Sequence, residues 1–344
     1  MSVRGVDDAL IESLRRRVAQ RVGEWRPGAE LLGIRPLTGG TSSLTFLAEV
    51  GAVAPAERTV VLKVAPPGLA PVRNRDVLRQ ARLLSALEGQ PRPIAPDLLF
   101  TDAGDPPDTP PLLAMNLVPG ECVEPVLAED GERPPPTEVR ARCLDAAAVL
   151  AALHSVTPAE VGLGDEPVVA LDAEIERWTR AFETLPDGLR GDYEVVAKAL
   201  HETIPAPLPA VVNHGDFRLG NTLCEDGRVN AVIDWEIWSV GDPRVDIAWF
   251  TFFADDAAHP AVEPGLVAGT PSRDEIVAAY ESAAGLRLPE LDWFHALTRY
   301  KEAGLTGLLL KRADKDGTTM KPALARMRPA LPTLLVEALD LLGR

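Results

Sequence analysis

Residues 214–246 constrain this chain more than any other stretch. They read His214-Gly215-Asp216-Phe217-Arg218-Leu219-Gly220-Asn221, then Val232-Ile233-Asp234-Trp235-Glu236, then Gly241-Asp242-Pro243-Arg244-Val245-Asp246. A carboxylate (Asp216) is followed five residues on by an amide (Asn221), and thirteen beyond that by a second carboxylate (Asp234). Phosphoryl transfer needs such a set: a base to orient the acceptor hydroxyl, and two oxygen ligands for the Mg²⁺ that neutralises the transferring phosphate. Asp226-Gly227 is a two-residue hairpin signal and predicts strands over 222–225 and 228–233. In that register Asn221 sits diagonal to Asp234 on one face, roughly 7–8 Å away, close enough for the pair to hold one ion. The plainer alternative is a solvated hairpin with scattered acids, but three motifs in order and at fixed spacing argue against it.

Composition bounds the rest. At 344 residues the chain suits one large domain or two lobes with ample core. Hydrophobic residues make up 46% and the mean hydropathy is +0.01, which describes a soluble globular protein. Apolar runs are only a few residues long, so no membrane span is expected. The first eight residues, Met-Ser-Val-Arg-Gly-Val-Asp-Asp, contain no apolar leader core. Three cysteines (Cys122, Cys143, Cys224) without metal-ligand spacing point to the cytoplasm rather than to a disulfide framework. The net charge is −16, divided as +1 over residues 1–118 and −17 over the remainder. Such an acidic surface disfavours nucleic acid and attracts a cationic small molecule, although a general solubility bias explains it equally well.

Residues 6–22 carry Leu10, Leu14, Val18 and Val22 at i, i+4 spacing, an amphipathic helix signal. Strands are expected over 30–37, 44–50, 59–65, 98–101 and 112–115, with a helix over 73–88. The β-rich part ends near Val118-Pro119-Gly120, and residues 125–137 read as a Pro- and acid-rich loop. From Thr137 onward helices dominate, including 272–284 and 290–311, with the motif hairpin inserted among them. Asp242 and Pro243 suit the start of a helix running to about Phe253.

Lysine is scarce: six lysines stand against 29 arginines, and Lys63 is the only lysine in the first 197 residues. It sits in the middle of the apolar run Val60-Val61-Leu62-Lys63-Val64-Ala65. A compact ammonium on a flexible stem does something there that the rigid arginine fork would not. The pattern resembles the kinase strand lysine that contacts α- and β-phosphates. Upstream, Gly39, Gly40 and Ser42 lie in a Gly-Gly-Thr-Ser-Ser segment between two strands. Glycine pairs let backbone N–H groups approach phosphate oxygens without a Cβ clash, so this segment is a candidate phosphate cover.

Together these residues resemble the aminoglycoside phosphotransferase and choline kinase-like family, over roughly residues 30–310 and most strongly from His214 to Asp246. The resemblance implies an α+β, bilobal, protein-kinase-like fold: a β-rich N-lobe over 1–118 and a mainly helical C-lobe over 119–344. It implies ATP and Mg²⁺ as cofactors, with Asp216 as catalytic aspartate, Asn221 and Asp234 as Mg²⁺ ligands, and Arg218 facing the γ-phosphate. It also makes Met115-Asn116-Leu117-Val118 the linker whose backbone meets adenine. Arg218, where many members carry His, resembles the subgroup fused to or encoded beside acyl-CoA dehydrogenases. Leu153-His154-Ser155-Val156, Val161-Gly162-Leu163-Gly164 and Arg177-Trp178 look like that subgroup too.

One departure stands out. Where the family helix usually reads Arg-Glu-Tyr, this chain has Arg79-Gln80-Ala81, so the acid that pairs with the strand lysine is replaced by Gln80. Asp76, one turn earlier, is a candidate substitute. The expectation is therefore a phosphotransferase moving the γ-phosphate of ATP to a hydroxyl on a small molecule. The alternative is a nucleotide-binding pseudokinase that regulates a partner. The acceptor is expected near 172–204 and 272–312. Asp255, Asp256, Glu263, Asp274 and Glu275 favour a cation there, whereas the subgroup resemblance favours a hydroxyacyl thioester of coenzyme A, for whose phosphates Arg177 and Arg180 are candidates.

Overall fold

A computed structural model of the chain describes residues 8–37, 43–92, 94–128, 131–317 and 320–344. They fall into two compact units. One comprises Met1–Gly120, Val161–Leu163 and Asn230–Trp238; the other comprises Glu121–Glu160, Gly164–Val229 and Ser239–Arg344.

The first unit is built on an antiparallel five-stranded sheet. Helix α1 (Asp8–Trp25) precedes β1 (Glu30–Leu37), β2 (Leu44–Gly51), β3 (Thr59–Val64), α2 (Val77–Ala86), β4 (Leu98–Asp102) and β5 (Leu112–Asn116), and the sheet order is β1-β2-β3-β5-β4. The i, i+4 residues Leu10, Leu14, Val18 and Val22 are the buried positions of α1. They pack with Phe46, Ala48, Val60, Leu62, Leu112 and Ala114. Burying each such side chain contributes about 1.5–3 kcal/mol. Because side chains alternate along a strand, burying Val60, Leu62 and Val64 on this face places Lys63 on the other. The helix expected over 73–88 is shorter than its sequence signal: Arg73–Arg75 forms a 3-10 turn and α2 begins after Asp76. Asp76 is its N-cap, accepting from Arg79 N at 3.0 Å.

The second unit is mainly helical. In chain order it holds α3 (Pro136–His154), β6 (Val168–Val169), α4 (Leu171–Glu183), α5 (Tyr193–Glu202) and β7 (Val211–Asn213). Strand β8 (Thr222–Glu225) leads through Asp226-Gly227, whose positive φ values of 49° and 75° are those of the expected tight turn, into β9 (Arg228–Val232), which from Asn230 on belongs to the first unit. Then come β10 (Ser239–Gly241), α6 (Arg244–Phe253), α7 (Arg273–Ala284), α8 (Leu291–Asp316) and α9 (Pro322–Leu341). β10 is the centre of a small sheet, parallel to β6 and antiparallel to β7. The core gathers Trp178 and Phe182 of α4, Trp249 and Phe253 of α6, Trp293 and Tyr300 of α8, and Leu331 and Leu334 of α9. Gly307 lets α8 approach this core, since a Cβ there would meet Leu185 Cδ1 at 2.4 Å. Among the described residues no helix is long and apolar enough to cross a membrane.

Candidate active site

The loop after β7 presents the expected carboxylate. Gly215 takes φ +86°, a left-handed conformation open to glycine, which lets the chain turn sharply before Asp216. Asp216 is then held on several sides. Its Oδ1 accepts from Trp249 Nε1 at 2.8 Å and from Arg218 Nε at 3.3 Å, and its Oδ2 accepts from Asn221 Nδ2 at 2.9 Å. Asn221 Nδ2 also donates to the Asp216 carbonyl at 2.8 Å. Three of the residues singled out from sequence, Asp216, Arg218 and Asn221, therefore converge within the second unit.

A buried frame fixes this loop. Asp246 is fully buried, and its carboxylate accepts from His214 N at 2.6 Å and Gly215 N at 2.8 Å. Burial works against ionisation of Asp246, yet its surroundings hold the carboxyl below the usual aspartate range. His154 Nε2 lies 3.6 Å from Asp246 Oδ2, a separation too long for a hydrogen bond, so the two backbone N–H bonds are the firmer cause. His214 is also fully buried, and its Nδ1 accepts from Asp216 N at 3.2 Å. That places it as a brace of the loop.

Two further groups behind the loop were not singled out from sequence. Lys301 of α8 donates from Nζ to the Gly215 carbonyl at 2.7 Å and sits 3.7 Å from the centre of the Trp249 ring. Burial lowers its pKa, against the pull of Glu174 and Asp216. Glu124, itself buried, accepts from Gly220 N at 3.0 Å and lies 3.5 Å from Arg218 NH1. Burial pushes its carboxyl up to about 7. The scarcity of lysine was a usable signal for Lys301. Nothing in the apolar run of α6 distinguishes Trp249 from an ordinary core residue.

In the first unit Lys63 Nζ donates to Asp234 Oδ1 at 2.8 Å, with Gln80 Oε1 at 3.5 Å. Gln80 is buried, and its Nε2 has no hydrogen-bond partner among the described residues. The expectation that Asp76 replaces the missing acid fails, because its carboxylate caps α2. Asp234 takes φ 68°, ψ 50°, a left-handed conformation that aspartate tolerates better than most residues. Arg79 stacks 3.8 Å over the Trp238 ring and donates to the Trp238 carbonyl at 3.0 Å. A void of about 10 Å³, the size of one water, is bounded by Lys63, Gln80, Met115 and Asp234. Asn116 closes β5 with its amide bonded to Asp97 at 2.9 and 3.1 Å, and Val118 follows, half-buried. Gly39, Gly40 and Ser42 lie outside the described residues.

A cavity of about 710 Å³ opens in the second unit, bounded by Asp216, Arg218, Trp249 and Phe253 together with Glu302 and Leu305 of α8 and Leu324 and Met327 of α9. Of the stretches expected to hold the acceptor, 272–312 contributes Glu302, Leu305, Thr306 and Leu309 to its wall, and 172–204 contributes no described residue. Of the five acids named from sequence only Glu263 lines it. Asp255 accepts from Ala257 N and Ala258 N, Asp256 accepts from Gly269 N, and Glu275 completes the capping box of α7 while pairing with Arg140. Arg177 and Arg180 pair with Glu174 and Glu176 on their own helix, and the basic residues on the cavity wall are Arg218, Lys321 and Arg326.

Comparison with known proteins bears on this site. The model of the phosphotransferase enzyme family matches residues 33–328. Acyl-CoA dehydrogenase family member 11 of Homo sapiens is 27% identical over 301 residues, covering 80% of this chain and 35% of that protein. Its Gallus gallus counterpart is 28% identical over 295 residues, covering 81% and 36%. The chain thus spans about a third of the length of these curated relatives. Among solved structures, a protein of Ralstonia eutropha JMP134 assigned as an aminoglycoside phosphotransferase superposes with a TM-score of 0.73 at 22% identity, covering 96% of this chain and 98% of that one. A thermostable mutant of aminoglycoside phosphotransferase APH(4)-Ia, in ternary complex with ADP and hygromycin B, gives 0.59 at 17% identity, covering 94% and 98%. These likenesses carry the fold, which is protein-kinase-like, α+β, with a β-rich N-terminal part and a helical C-terminal part. With a family model spanning most of its length, the chain belongs to the phosphotransferase enzyme family.

Proposed function

We propose that this chain transfers the γ-phosphate of ATP, with Mg²⁺, to a hydroxyl of a small molecule, with residues 1–118 serving the nucleotide and 119–344 the chemistry and the acceptor. The observation that carries the reading is the hold on Asp216, whose carboxylate receives N–H groups from Trp249, Arg218 and Asn221 while Asp246 clamps the backbone before it. A carboxylate fixed this firmly can orient a hydroxyl and accept its proton, and positioning of this kind supplies much of phosphoryl-transfer catalysis. Asp216 also lines a cavity large enough for a metabolite. Arg218, beside it, would offset charge on the transferred group.

Lys63 is the candidate partner of the α- and β-phosphates, Gly39, Gly40 and Ser42 would cover them, and the backbone of Asn116 and Val118 would meet adenine. Asn221 and Asp234 supply amide and carboxylate oxygens, the donors a hard cation takes. They would hold the Mg²⁺, which when bound neutralises charge on the phosphates. The strained backbone of Asp234 accords with a functional position.

The second reading, a nucleotide-binding pseudokinase, rests on Gln80, which leaves Lys63 at 3.5 Å and its own Nε2 without a partner. The two readings separate in one assay: coupled ADP release with Mg²⁺-ATP across aminoglycosides, choline, homoserine, sugars and a hydroxyacyl-CoA. The phosphotransferase reading expects acceptor-dependent turnover that Asp216→Asn lowers by about 10²–10⁴-fold. Silence across the panel, with nucleotide binding intact, selects the pseudokinase.

A further inference from the structure

Among the described residues, the wall of the 710 Å³ cavity carries two buried polar atoms without partners. One is Oε2 of Glu302, a residue only 5% exposed. Its other oxygen, Oε1, accepts from Thr306 Oγ1 at 2.8 Å, and Thr306 lines the cavity too. The second is Nε2 of His259, whose Nδ1 accepts from Ala261 N at 3.1 Å. With Nδ1 an acceptor and the ring kept neutral by burial, which lowers its pKa to about 4, Nε2 carries the proton. Buried polar groups without partners are few in folded proteins, and each calls for a cause. Two of opposite sense, an acceptor and a donor, on the wall that Asp216 shares are the mark of a site made for a ligand.

The wall presents polar and apolar surface in nearly equal measure, the apolar part coming from Leu127, Phe253, Leu305, Leu309, Leu324 and Met327. A strongly polar sugar would leave that surface unmatched. The charged side chains on the wall are of both signs, Glu132, Asp216, Glu263 and Glu302 against Arg218, Lys321 and Arg326, so no strong net field selects an ion. Glu302 is the buried acceptor that shares this wall with Asp216 and stands next in sequence to Lys301, the residue that holds the Gly215 carbonyl.

From this we infer that Glu302 reads the acceptor: the cavity takes a molecule with an apolar portion that carries, besides the hydroxyl addressed to Asp216, a second N–H or O–H group donated to Glu302. The terminal torsion of a glutamate is broad and roughly two-fold, so turning Oε2 toward a ligand requires little rearrangement. The inference rests on the proposed function only in treating Asp216 as the residue that addresses the hydroxyl.

The test uses binding rather than turnover. Isothermal titration calorimetry on the full chain, without nucleotide, compares 2-amino-1-octanol, 1,2-octanediol and 1-octanol, three probes of one chain length that differ in the second donor. The amino alcohol and the diol should bind about tenfold or more tighter than 1-octanol, the scale of a hydrogen bond to a charged or buried partner. Glu302→Leu should erase the advantage of both. Glu302→Gln, whose amide oxygen still accepts, should retain the preference for the diol and lose that for the amine. Because Gln keeps the shape of the side chain without a buried carboxyl, it guards against a folding defect in the Leu variant. Equal affinity for the three probes, no binding of any of them, or an undiminished preference in Glu302→Leu would each overturn the inference. Its failure is separable from that of the proposed function. Acceptor-dependent ADP release sensitive to Asp216 but not to Glu302 keeps the phosphotransferase and discards this role. Probe binding sensitive to Glu302 without any ADP release does the reverse.

Discussion

Asp216 receives its three donors from different places: Arg218 two residues on, Asn221 five residues on, and Trp249 from α6. The first two were legible in the sequence because the loop is a local motif whose spacing is its chemistry. Trp249 was not, because a tryptophan inside Ile247-Ala248-Trp249-Phe250 reads as core, and core it is, apart from its one N–H. Trp249→Phe keeps the ring under Lys301 and removes that donor. We expect kcat to fall about tenfold, the scale of one hydrogen bond to a charged group, with the KM for ATP little changed. Unchanged kcat would show that Arg218 and Asn221 alone position the carboxylate. At Gln80 the sequence raised the right question and the wrong substitute. Asp76 is engaged as a cap, and Lys63 turns to Asp234 instead. Gln80→Glu returns a carboxylate to within reach of the ammonium, and should lower the KM for ATP about threefold to tenfold. A KM that does not move would mean that Asp234 already holds the lysine.

Elements were legible where period and punctuation agreed. The i, i+4 leucines and valines of α1, the alternation of β3 and the Asp226-Gly227 turn each gave strong local signals that packing then reinforced. Ser272 is the clearest helix start. It accepts from Glu275 N while Glu275 reaches back to Ser272 N, a complete capping box at the head of α7. Ser272→Ala should destabilise the protein by about 1 kcal/mol in chemical unfolding, and no change would mean that α7 is fixed by its packing on α3 alone. The helix that drew no reading from the sequence has an equally local cause. Helix α9 contains Pro329 and Pro332, residues that normally argue against a helix interior, yet Met327, Leu331, Leu334 and Leu335 bury one face of it in the core. At α6 the expected start is met: Pro243 already has helical φ and ψ, and Asp242 accepts from Arg244 N at 3.0 Å, the side-chain bond of an N-cap, as well as from the Arg244 guanidinium at 2.7 Å, a buried pair. What the sequence could not supply was the cavity beside Asp216, because its walls come from segments far apart in the chain, between residues 127 and 327.

At the scale of the whole molecule, the net charge of −16 is a weaker guide than it looked. Several of the acids that produce it serve as caps or pair with arginines on their own helices, and the cavity wall is of mixed sign. The buried carboxyls matter more. Glu302 is raised to about 7 by burial, so it ionises at a higher pH in the folded chain than in the unfolded one. An acid whose pKa rises on folding stabilises the fold fully below its unfolded value, near 4.5, and this contribution is lost as pH climbs toward 7. The wild type should therefore lose thermal stability relative to Glu302→Gln between pH 5 and pH 8. Parallel melting curves for the two proteins across that window would show that the carboxyl titrates normally. The curated relatives are about three times as long as the stretch they share with this chain, and the shared stretch is the one that carries the phosphotransferase motifs.

The account turns on a single event, transfer of phosphate to a hydroxyl oriented by Asp216. The most direct measurement is a single-turnover reaction with ATP labelled in its γ-phosphate and an accepted acceptor, following the label into product for the wild type and for Asp216→Asn. The account predicts label in an acid-stable phosphate ester, formed about 10²–10⁴-fold more slowly in the variant, with ATP binding retained. Label appearing only as inorganic phosphate whatever the acceptor, or at the same rate in both proteins, would contradict it.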